Sequence, residues 1–279
     1  MNLRLRENYD IGNNDLVHLS SRFKLLCLII FFRVSRELIG RPLLLSLKLR
    51  MKLSNLSPFL PKHLSLFQKH GVVVVEDFMS QSQVSHISKE IDHCITPENP
   101  RIIQGSDKRL FNAEDEISGI SSFSDNYKLE RIGCAYLGTP IKMIGCMVNL
   151  VPANQSDFGS GGSWHRDANF PQFKAMIYLS DVLSADHGAF AYIPKSNRIT
   201  FYIKEFFSHR RSFLDSRWSE SEIASNYRNQ SISILGKAGT LILFDTCLLH
   251  RGNPNTPTDN RTRYAATNYY RSIIGKFDS

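Results

Sequence analysis

The chain has 279 residues, of which 42% are hydrophobic and 22% are charged, and its formal net charge at pH 7 is +8. This composition excludes disordered, collagen-like and low-complexity classes, because the apolar side chains suffice to bury a core. The five cysteines include no CxxC pair, which disfavours a disulfide framework and a thiolate zinc site and indicates a reducing compartment. We therefore expect a cytoplasmic globular protein.

Residues 1–54 are predicted to form a basic, apolar arm ahead of a single domain. From Arg22 to Lys52 there are eight basic residues and one acid, Glu37, so eight minus one gives this stretch +7 of the total +8. Its longest apolar run has eight residues, whereas a membrane crossing takes about 20. Two interpretations stay open: peripheral contact of residues 22–52 with an anionic membrane, or an arm packed on the domain or a second copy. Nucleic acid is not expected as a partner, since aromatic residues do not interleave with the basic ones.

The domain, predicted over residues 55–279, begins with helices around one buried strand. One helix is expected to begin at an N-cap formed by Ser80, because apolar residues then recur at helical spacing. The elements predicted in this part are a helix over residues 58–68 ended by Gly71, a strand over 71–76, a helix from Ser80 to Cys94, a loop-like stretch over 97–125, and a helix over 125–137.

Short strands separated by turn residues dominate the rest of the chain. They are predicted over residues 142–151, 173–182, 189–193, 231–234, 239–244 and 262–270. Residues 200–229 interrupt them with a more helical segment rich in aromatic and basic side chains, which suits a substrate lid and a packed structural insert equally well. Many short strands with such turns indicate a closed or double-sheet all-β core. The predicted fold class is mainly β with flanking helices.

The residues that carry chemistry begin with His165 and Asp167, in the sequence Ser-Trp-His-Arg-Asp. Side chains two apart on a strand point to the same face, so both can bind one metal ion. His250 follows an apolar run and can reach the same ion from a neighbouring strand. Two imidazoles and one carboxylate form the facial triad of non-haem Fe(II) oxygenases, which leaves coordination positions open. We therefore predict that these three residues bind Fe(II).

A 2-oxo acid chelating that iron as co-substrate needs a cation for its distal carboxylate. A guanidinium pairs with a carboxylate in bidentate fashion and stays charged at any working pH. Arg261, 11 residues after His250, is the predicted partner. Arg263, two residues later, would point to the same face of a strand and is the reserve candidate. Tyr178 is a further candidate, for co-substrate contact or for ordinary packing.

In this order the motifs resemble those of the phytanoyl-CoA dioxygenase family of Fe(II)- and 2-oxoglutarate-dependent oxygenases. The resemblance covers roughly residues 71–270. It is carried by residues 147–152, 164–167, 175–183, 187–196 and 239–252. It implies a double-stranded β-helix, that is, a jelly-roll, cupin-like core. It also implies Fe(II), 2-oxoglutarate and O2 as reactants, with the iron on His165, Asp167 and His250, the co-substrate on Arg261 and a co-substrate contact at Asn149.

The expected function is a dioxygenase that hydroxylates a C–H bond of an unidentified small-molecule or lipid-like substrate, releasing succinate and CO2. Related halogenases carry a small residue in place of the carboxylate, so Asp167 favours hydroxylation. Two other classes stay open. One is a non-catalytic lipid- or partner-binding protein on the same fold. The other is a cupin-like metal enzyme that does not use 2-oxoglutarate and therefore has no need of Arg261.

Overall fold

The computed structural model describes residues 59–272 and Phe31, with gaps at residues 97, 106, 154–158, 170, 210, 212–214, 228–229 and 257–259. Apart from Phe31, the predicted arm lies outside the described residues, so both interpretations of it stay predictions. Within the described part of the chain, no helix combines the length and the apolar content that a membrane crossing requires.

The described residues form helices and mostly short strands. The helices are α1 (Phe59–His70), α2 (Gln81–Cys94), α3 (Ser121–Ser124), α4 (Tyr127–Leu137), α5 (Gly159–Gly162), α6 (Ile199–His209) and α7 (Glu220–Tyr227), with 3-10 turns at Ala113–Asp115 and Ser118–Ile120. The strands are β1 (Val72–Val75), β2 (Ile102–Ile103), β3 (Lys108–Phe111), β4 (Ile141–Val151), β5 (Trp164–His165), β6 (Phe173–Tyr178), β7 (Phe190–Tyr192), β8 (Arg217–Trp218), β9 (Ile232–Ile234), β10 (Leu241–Asp245), β11 (His250–Gly252) and β12 (Arg263–Ser272).

The strands make two antiparallel sheets. The large sheet has the order β1-β10-β6-β12-β4-β3-β2, and the small sheet has the order β8-β5-β11-β7-β9. Strands that are neighbours in a sheet are often distant in sequence, as in the pairing of β1 with β10. Such crossovers between two facing sheets are those of a jelly roll. The predicted mainly β fold with flanking helices is confirmed.

Local sequence explains where the first helices begin and end. Ser80 caps α2 in a capping box with Gln83, each residue bonding to the other's backbone N–H. Gly71 ends α1 with φ of +73°, and its N–H donates to the Phe67 carbonyl at 2.8 Å. Glycine adopts this left-handed conformation without a steric penalty, which is why helices commonly end there.

Two layers of apolar side chains fill the domain. Ile177 and Ala266 point from the large sheet toward the packed helices. Tyr178 and Ala265 point the other way, toward Phe190 of the small sheet. Because successive strand residues alternate between faces, polar residues on this second, inner face of the large sheet can reach the space between the sheets.

The segment over residues 200–229 is built into the small sheet. Its strand β8 pairs with β5, Trp218 opposite Trp164 and Arg217 opposite His165. Trp218 and Tyr227 pack in one apolar cluster with Trp164. The segment therefore has the contacts of a packed structural insert.

The stretch over residues 97–125 departs from the predicted loop. It contains β2, β3, two 3-10 turns and α3, and β3 pairs along β4 from Leu150 to Met147. The first two residues of β3 are Lys108 and Arg109, whose charges hide the apolar alternation that marks a strand. The two-residue strands β5 and β8 and the three-residue β11 were likewise too short to show a period.

Candidate metal centre

Three side chains converge where β5 and β11 pair in the small sheet. Among the described residues, His165, Asp167 and His250 form one group whose potential ligand atoms all lie within 4.8 Å of one another. Nε2 of His165 lies 3.5 Å from Oδ1 of Asp167, and Nε2 of His250 lies 3.5 Å from its Oδ2. These separations suit a single ion bound by all three groups.

Strand pairing produces this convergence. His165 on β5 lies directly opposite His250 on β11, and opposite residues of an antiparallel pair share a face. The two ring centroids are 4.5 Å apart. Asp167 follows β5 and is fixed by its N–H, which donates to the Thr246 carbonyl at 3.2 Å. The sequence prediction that His250 arrives from a neighbouring strand describes this geometry.

Both imidazoles present the same nitrogen to the centre. Nδ1 of His165 lies 2.7 Å from the Ser163 carbonyl, and Nδ1 of His250 lies 2.7 Å from the Leu248 carbonyl. A carbonyl oxygen only accepts hydrogen bonds, so each Nδ1 carries the proton. The Nε2 lone pairs are thus available, as metal-binding histidines require.

Asp167 is held as a carboxylate by its neighbours. Lys174 of β6 donates from Nζ to Oδ2 of Asp167 at 2.9 Å, with both side chains nearly buried. Burial alone would raise the pKa of Asp167, but the nearby positive charge of Lys174 is the largest of the influences that hold that pKa well below its usual range. One carboxylate oxygen and two neutral imidazole nitrogens form a set of ligand atoms that suits a divalent first-row metal ion.

Apolar rings wall His250. Phe190 stacks on its imidazole at 5.4 Å between centroids, and Phe244 meets it edge-on at 5.3 Å. Burial is the largest cause that lowers the pKa of His250, and it does so although the Asp167 carboxylate acts in the opposite direction. The neutral, ligating form of His250 is therefore favoured.

Arg166, between the two ligands of the His-Arg-Asp triplet, ties them to the insert. Its guanidinium lies 3.9 Å from the ring centroid of Tyr202 and 4.8 Å from that of Trp218. Its Nη2 donates to the Ser196 carbonyl at 3.0 Å. Because this cation points away from the metal ligands into aromatic packing, its role is to fix the orientation of the triplet.

The two candidate arginines occupy different environments. Arg261 lies in the loop ahead of β12 and is half-buried; its carbonyl accepts from Asn255 Nδ2 at 2.9 Å. Arg263 begins β12 and is buried. Its Nη1 donates to the Gly188 carbonyl at 3.1 Å, while its Nε is buried without a hydrogen-bond partner.

Gly188 makes room for the Arg263 side chain. The glycine has φ of +70°, and a Cβ at this position would lie 3.2 Å from Cδ of Arg263. Burial lowers the pKa of the Arg263 guanidinium, but nearby Tyr178 and Asp107 act in the opposite direction. Arginine stays protonated in proteins, so a buried cation faces the space between the sheets.

Asn149 and Tyr178 lie on the same inner face. In β4, Asn149 is opposite Ala265, which shares its face with Arg263 two residues away. The Tyr178 hydroxyl donates to the Ile234 carbonyl at 3.0 Å and accepts from the Phe190 N–H at 2.8 Å. Because a phenol has one proton to donate, this arrangement leaves Tyr178 no donor for a carboxylate.

Lys174 was not identified from the sequence. It occurs in the run Phe-Lys-Ala-Met-Ile-Tyr, where a single cation interrupts a strand that is otherwise apolar. A lysine is almost never fully buried unless paired, so this position signalled a buried anionic partner. The identity of that partner depends on how the two sheets face each other, although Asp167 lies only seven residues earlier in the chain.

Comparison with known proteins gives a family and a fold. The family profile described as phytanoyl-CoA dioxygenase (PhyH) matches residues 67–263. No curated protein matches the chain.

Solved structures of low sequence identity share the fold. HygX from Streptomyces hygroscopicus, crystallised with nickel and 2-oxoglutarate, is 14% identical, with a TM-score of 0.56 over 78% of this chain and 88% of that one. The epimerase SnoN from nogalamycin biosynthesis is 13% identical, with a TM-score of 0.56 over 77% and 83%. The carbocyclase SnoK from the same biosynthesis is 17% identical, with a TM-score of 0.54 over 78% and 84%.

The family match spans most of the chain, including all three metal-ligand candidates and Arg263. Phytanoyl-CoA dioxygenase family enzymes use Fe(II), 2-oxoglutarate and O2. The confirmed jelly roll and the converging His-Asp-His group agree with that chemistry. The chain belongs to the phytanoyl-CoA dioxygenase (PhyH) family.

Proposed function

We propose that this protein is an Fe(II)- and 2-oxoglutarate-dependent dioxygenase that hydroxylates a C–H bond of a small-molecule or lipid-like substrate, releasing succinate and CO2. The observation that carries the proposal is the convergence of two Nε2 lone pairs and one carboxylate within 4.8 Å. Bound there, Fe(II) supplies open coordination positions for the 2-oxo acid and O2.

The protein's own contribution is to fix the ligands and exclude water. The Ser163 and Leu248 carbonyls hold the imidazole tautomers, and Lys174 holds the Asp167 carboxylate. Phe190 and its neighbours wall the centre with apolar surface. A dry, preorganised site strengthens the electrostatic interactions within it.

We assign the distal carboxylate of 2-oxoglutarate to Arg263 rather than to Arg261. A buried guanidinium whose Nε has no partner is costly unless an anion pairs with it. The inner face of β12 also adjoins the candidate metal centre, because Ala265 of β12 lies opposite Tyr178 of β6. The Tyr178 hydroxyl accepts from the Phe190 N–H, and the Phe190 ring stacks on His250. Asn149 on the same face is the proposed second polar contact.

We assign Tyr178 to the wall of this pocket. Its hydroxyl bridges the Phe190 N–H and the Ile234 carbonyl, so it links the large sheet to two strands of the small one. Burial raises the pKa of Tyr178 to about 12, which keeps the phenol protonated. The proposed carboxylate therefore depends on the arginine and not on this phenol.

The fate of the substrate is tested by isotope labelling. The protein is incubated with Fe(II), 2-oxoglutarate, isotopically labelled O2 and fractions of a small-molecule extract. Hydroxylation predicts labelled succinate together with a consumed compound that gains one oxygen atom, and neither product with Asp167→Ala. Loss of two hydrogens without gain of oxygen would contradict hydroxylation in favour of ring closure or desaturation.

A further inference from the structure

Helix α6 of the insert exposes an apolar stripe. Ile203 and Phe206 are each 41% exposed and Phe207 is 75% exposed. Residues spaced by three and four share one face of a helix, so the three side chains are neighbours. The rings of Phe206 and Phe207 meet edge-on at 5.1 Å. Contiguous apolar surface of this kind commonly marks an interaction site.

The opposite face of α6 is firmly anchored. Tyr202 is buried beneath the Arg166 guanidinium. Glu205 is buried and accepts hydrogen bonds from Trp218 Nε1 at 2.8 Å and from the Tyr227 hydroxyl. The helix therefore turns its acid inward and two of its three phenylalanines, Phe206 and Phe207, outward, the reverse of an ordinary helix on a soluble domain. Because the buried face of α6 is well packed, the exposure of Phe206 and Phe207 is not the result of a loosely packed helix.

The exposed charges on α6 and on the turn before it have one sign. Over residues 195–209, the exposed charged side chains are Lys195, Arg198 and Lys204, and the acid in that range is the buried Glu205. Arg198 also donates to the carbonyl of Lys69 at 3.0 Å, which brings the end of α1 alongside. Helix α1 contains two lysines, two histidines and no acid. This surface attracts anions.

The sequence ahead of α1 is also basic. Residues 22–52 carry eight basic residues and one acid. A surface of exposed phenyl rings within a positive field repels a second copy of itself. An anionic bilayer suits both the exposed rings and the positive charge. The rings can enter the boundary between headgroups and acyl chains, and each nearby cation adds about 1 kcal/mol to the binding free energy.

We propose that the exposed face of α6, formed by Ile203, Phe206 and Phe207 with Lys204, docks peripherally on an anionic lipid bilayer. Lipid headgroups then pair with Lys195, Arg198 and Lys204. The buried face of this helix contacts Arg166, so docking holds the His-Arg-Asp triplet about one helix diameter, roughly 10 Å, from the lipid. The surface requires no catalytic activity, so its test is independent of the proposed reaction.

Vesicle flotation of the full chain tests the surface. The vesicles are phosphatidylcholine alone, or phosphatidylcholine with one-third phosphatidylglycerol. We expect binding to the anionic vesicles only, weakened about tenfold or more by the double change Phe206→Ser and Phe207→Ser. The matched control changes two exposed residues elsewhere, Leu183→Ser and Leu235→Ser, and should bind as the wild type does. Circular dichroism verifies that all variants fold.

Three flotation results would overturn the proposal. The wild type could fail to float, or could bind neutral vesicles equally well. The phenylalanine variant could bind as tightly as the wild type, which would assign the contact to residues 22–52 alone. Salt-sensitive binding to a single-stranded oligonucleotide without vesicle binding would likewise favour a different partner.

A fluorescent variant tests the contact directly. The two native tryptophans, Trp164 and Trp218, are buried, so Phe207→Trp adds an exposed indole to a constant background. We expect its emission to shift to shorter wavelength on anionic vesicles and to be quenched by brominated lipid. An unchanged indole on vesicle-bound protein would show that α6 does not touch the bilayer.

Discussion

The ammonium of Lys174 lies 2.9 Å from Oδ2 of Asp167 and joins the two sheets at the candidate metal centre. Lys174 belongs to β6 of the large sheet, whereas Asp167 follows β5 of the small sheet. Nζ of Lys174 also lies 4.2 Å from the ring centroid of Tyr269. Lys174 binds Oδ2 of Asp167, and the other carboxylate oxygen, Oδ1, faces His165. Oδ1 lies 3.5 Å from Nε2 of His165.

Lys174→Met should weaken metal binding by roughly 10- to 100-fold, the usual effect of losing a partner of a metal ligand. The apo-protein should also be less stable, by about 3–5 kcal/mol, because a buried carboxylate loses its counter-charge. Calorimetric titration with Mn(II) and thermal melting measure the two effects. Lys174→Arg should restore part of the metal affinity. Equal Mn(II) affinity in wild type and Lys174→Met would refute the positioning role.

Arg263→Gln should raise the dissociation constant for 2-oxoglutarate by roughly 10- to 100-fold, because a charge-assisted bidentate pair is lost. Arg261→Gln is the matched control, and its effect should be small. Anaerobic titration of the Fe(II) protein with 2-oxoglutarate gives both constants. A larger loss of 2-oxoglutarate affinity in Arg261→Gln than in Arg263→Gln would instead assign the distal carboxylate of 2-oxoglutarate to Arg261, the residue predicted from the sequence.

Gly188→Ala should also weaken 2-oxoglutarate binding while leaving Mn(II) affinity unchanged. The added methyl group would meet Cδ of Arg263 at 3.2 Å, at a backbone φ of +70°. Gly105→Ala is the control, since a Cβ there lies 3.6 Å from the nearest atom outside the flanking residues, the Asp107 carbonyl oxygen. Unaltered co-substrate affinity in Gly188→Ala would mean that Arg263 can move without loss of function.

Tyr178→Phe should cost about 1–3 kcal/mol of stability, since it leaves the buried Phe190 N–H and Ile234 carbonyl without their partner. Its effect on 2-oxoglutarate affinity should be far smaller than that of Arg263→Gln. Denaturant unfolding and the same anaerobic titration measure the two quantities. A large loss of co-substrate affinity with normal stability would return Tyr178 to a direct binding role.

The cost of Tyr178→Phe should also depend on pH. The pKa of Tyr178 is raised by burial from 10.0 to about 12 in the folded protein. The unfolded chain therefore loses this proton first, and the stabilisation from the phenol is full below pH 10 and lost as pH rises toward 12. The difference in unfolding free energy between wild type and variant should shrink across that range. A constant difference would contradict the raised pKa.

Much of this arrangement follows from local sequence. Helix α2 is specified by the Ser80 cap and by the buried spacing of Val84, Ile87 and Ile91. His165 and Asp167 are two apart, so one strand can direct both toward one ion. These features depend on neighbours in the chain, which sequence periodicity reports directly.

The rest depends on where strands begin and on how separate strands and sheets meet. Arg261 and Arg263 are two residues apart, so the alternation of a strand would direct both to the same face. They differ because β12 begins at Arg263, which leaves Arg261 in the preceding loop. Lys174 and Asp167 are only seven residues apart, but they belong to different sheets, and periodicity along a strand does not report that the two sheets face each other. The pairing of β8 with β5 joins residues more than 50 apart, so the insert could not be distinguished from a lid.

The most direct test is an anaerobic titration of the apo-protein with Fe(II) and then 2-oxoglutarate, monitored by visible absorption. Chelation of iron by the 2-oxo acid gives a metal-to-ligand charge-transfer band. We predict this band in the wild type and its absence in His165→Ala. Folded, iron-exposed wild-type protein without a band would contradict the dioxygenase assignment and favour a binding protein on the same fold.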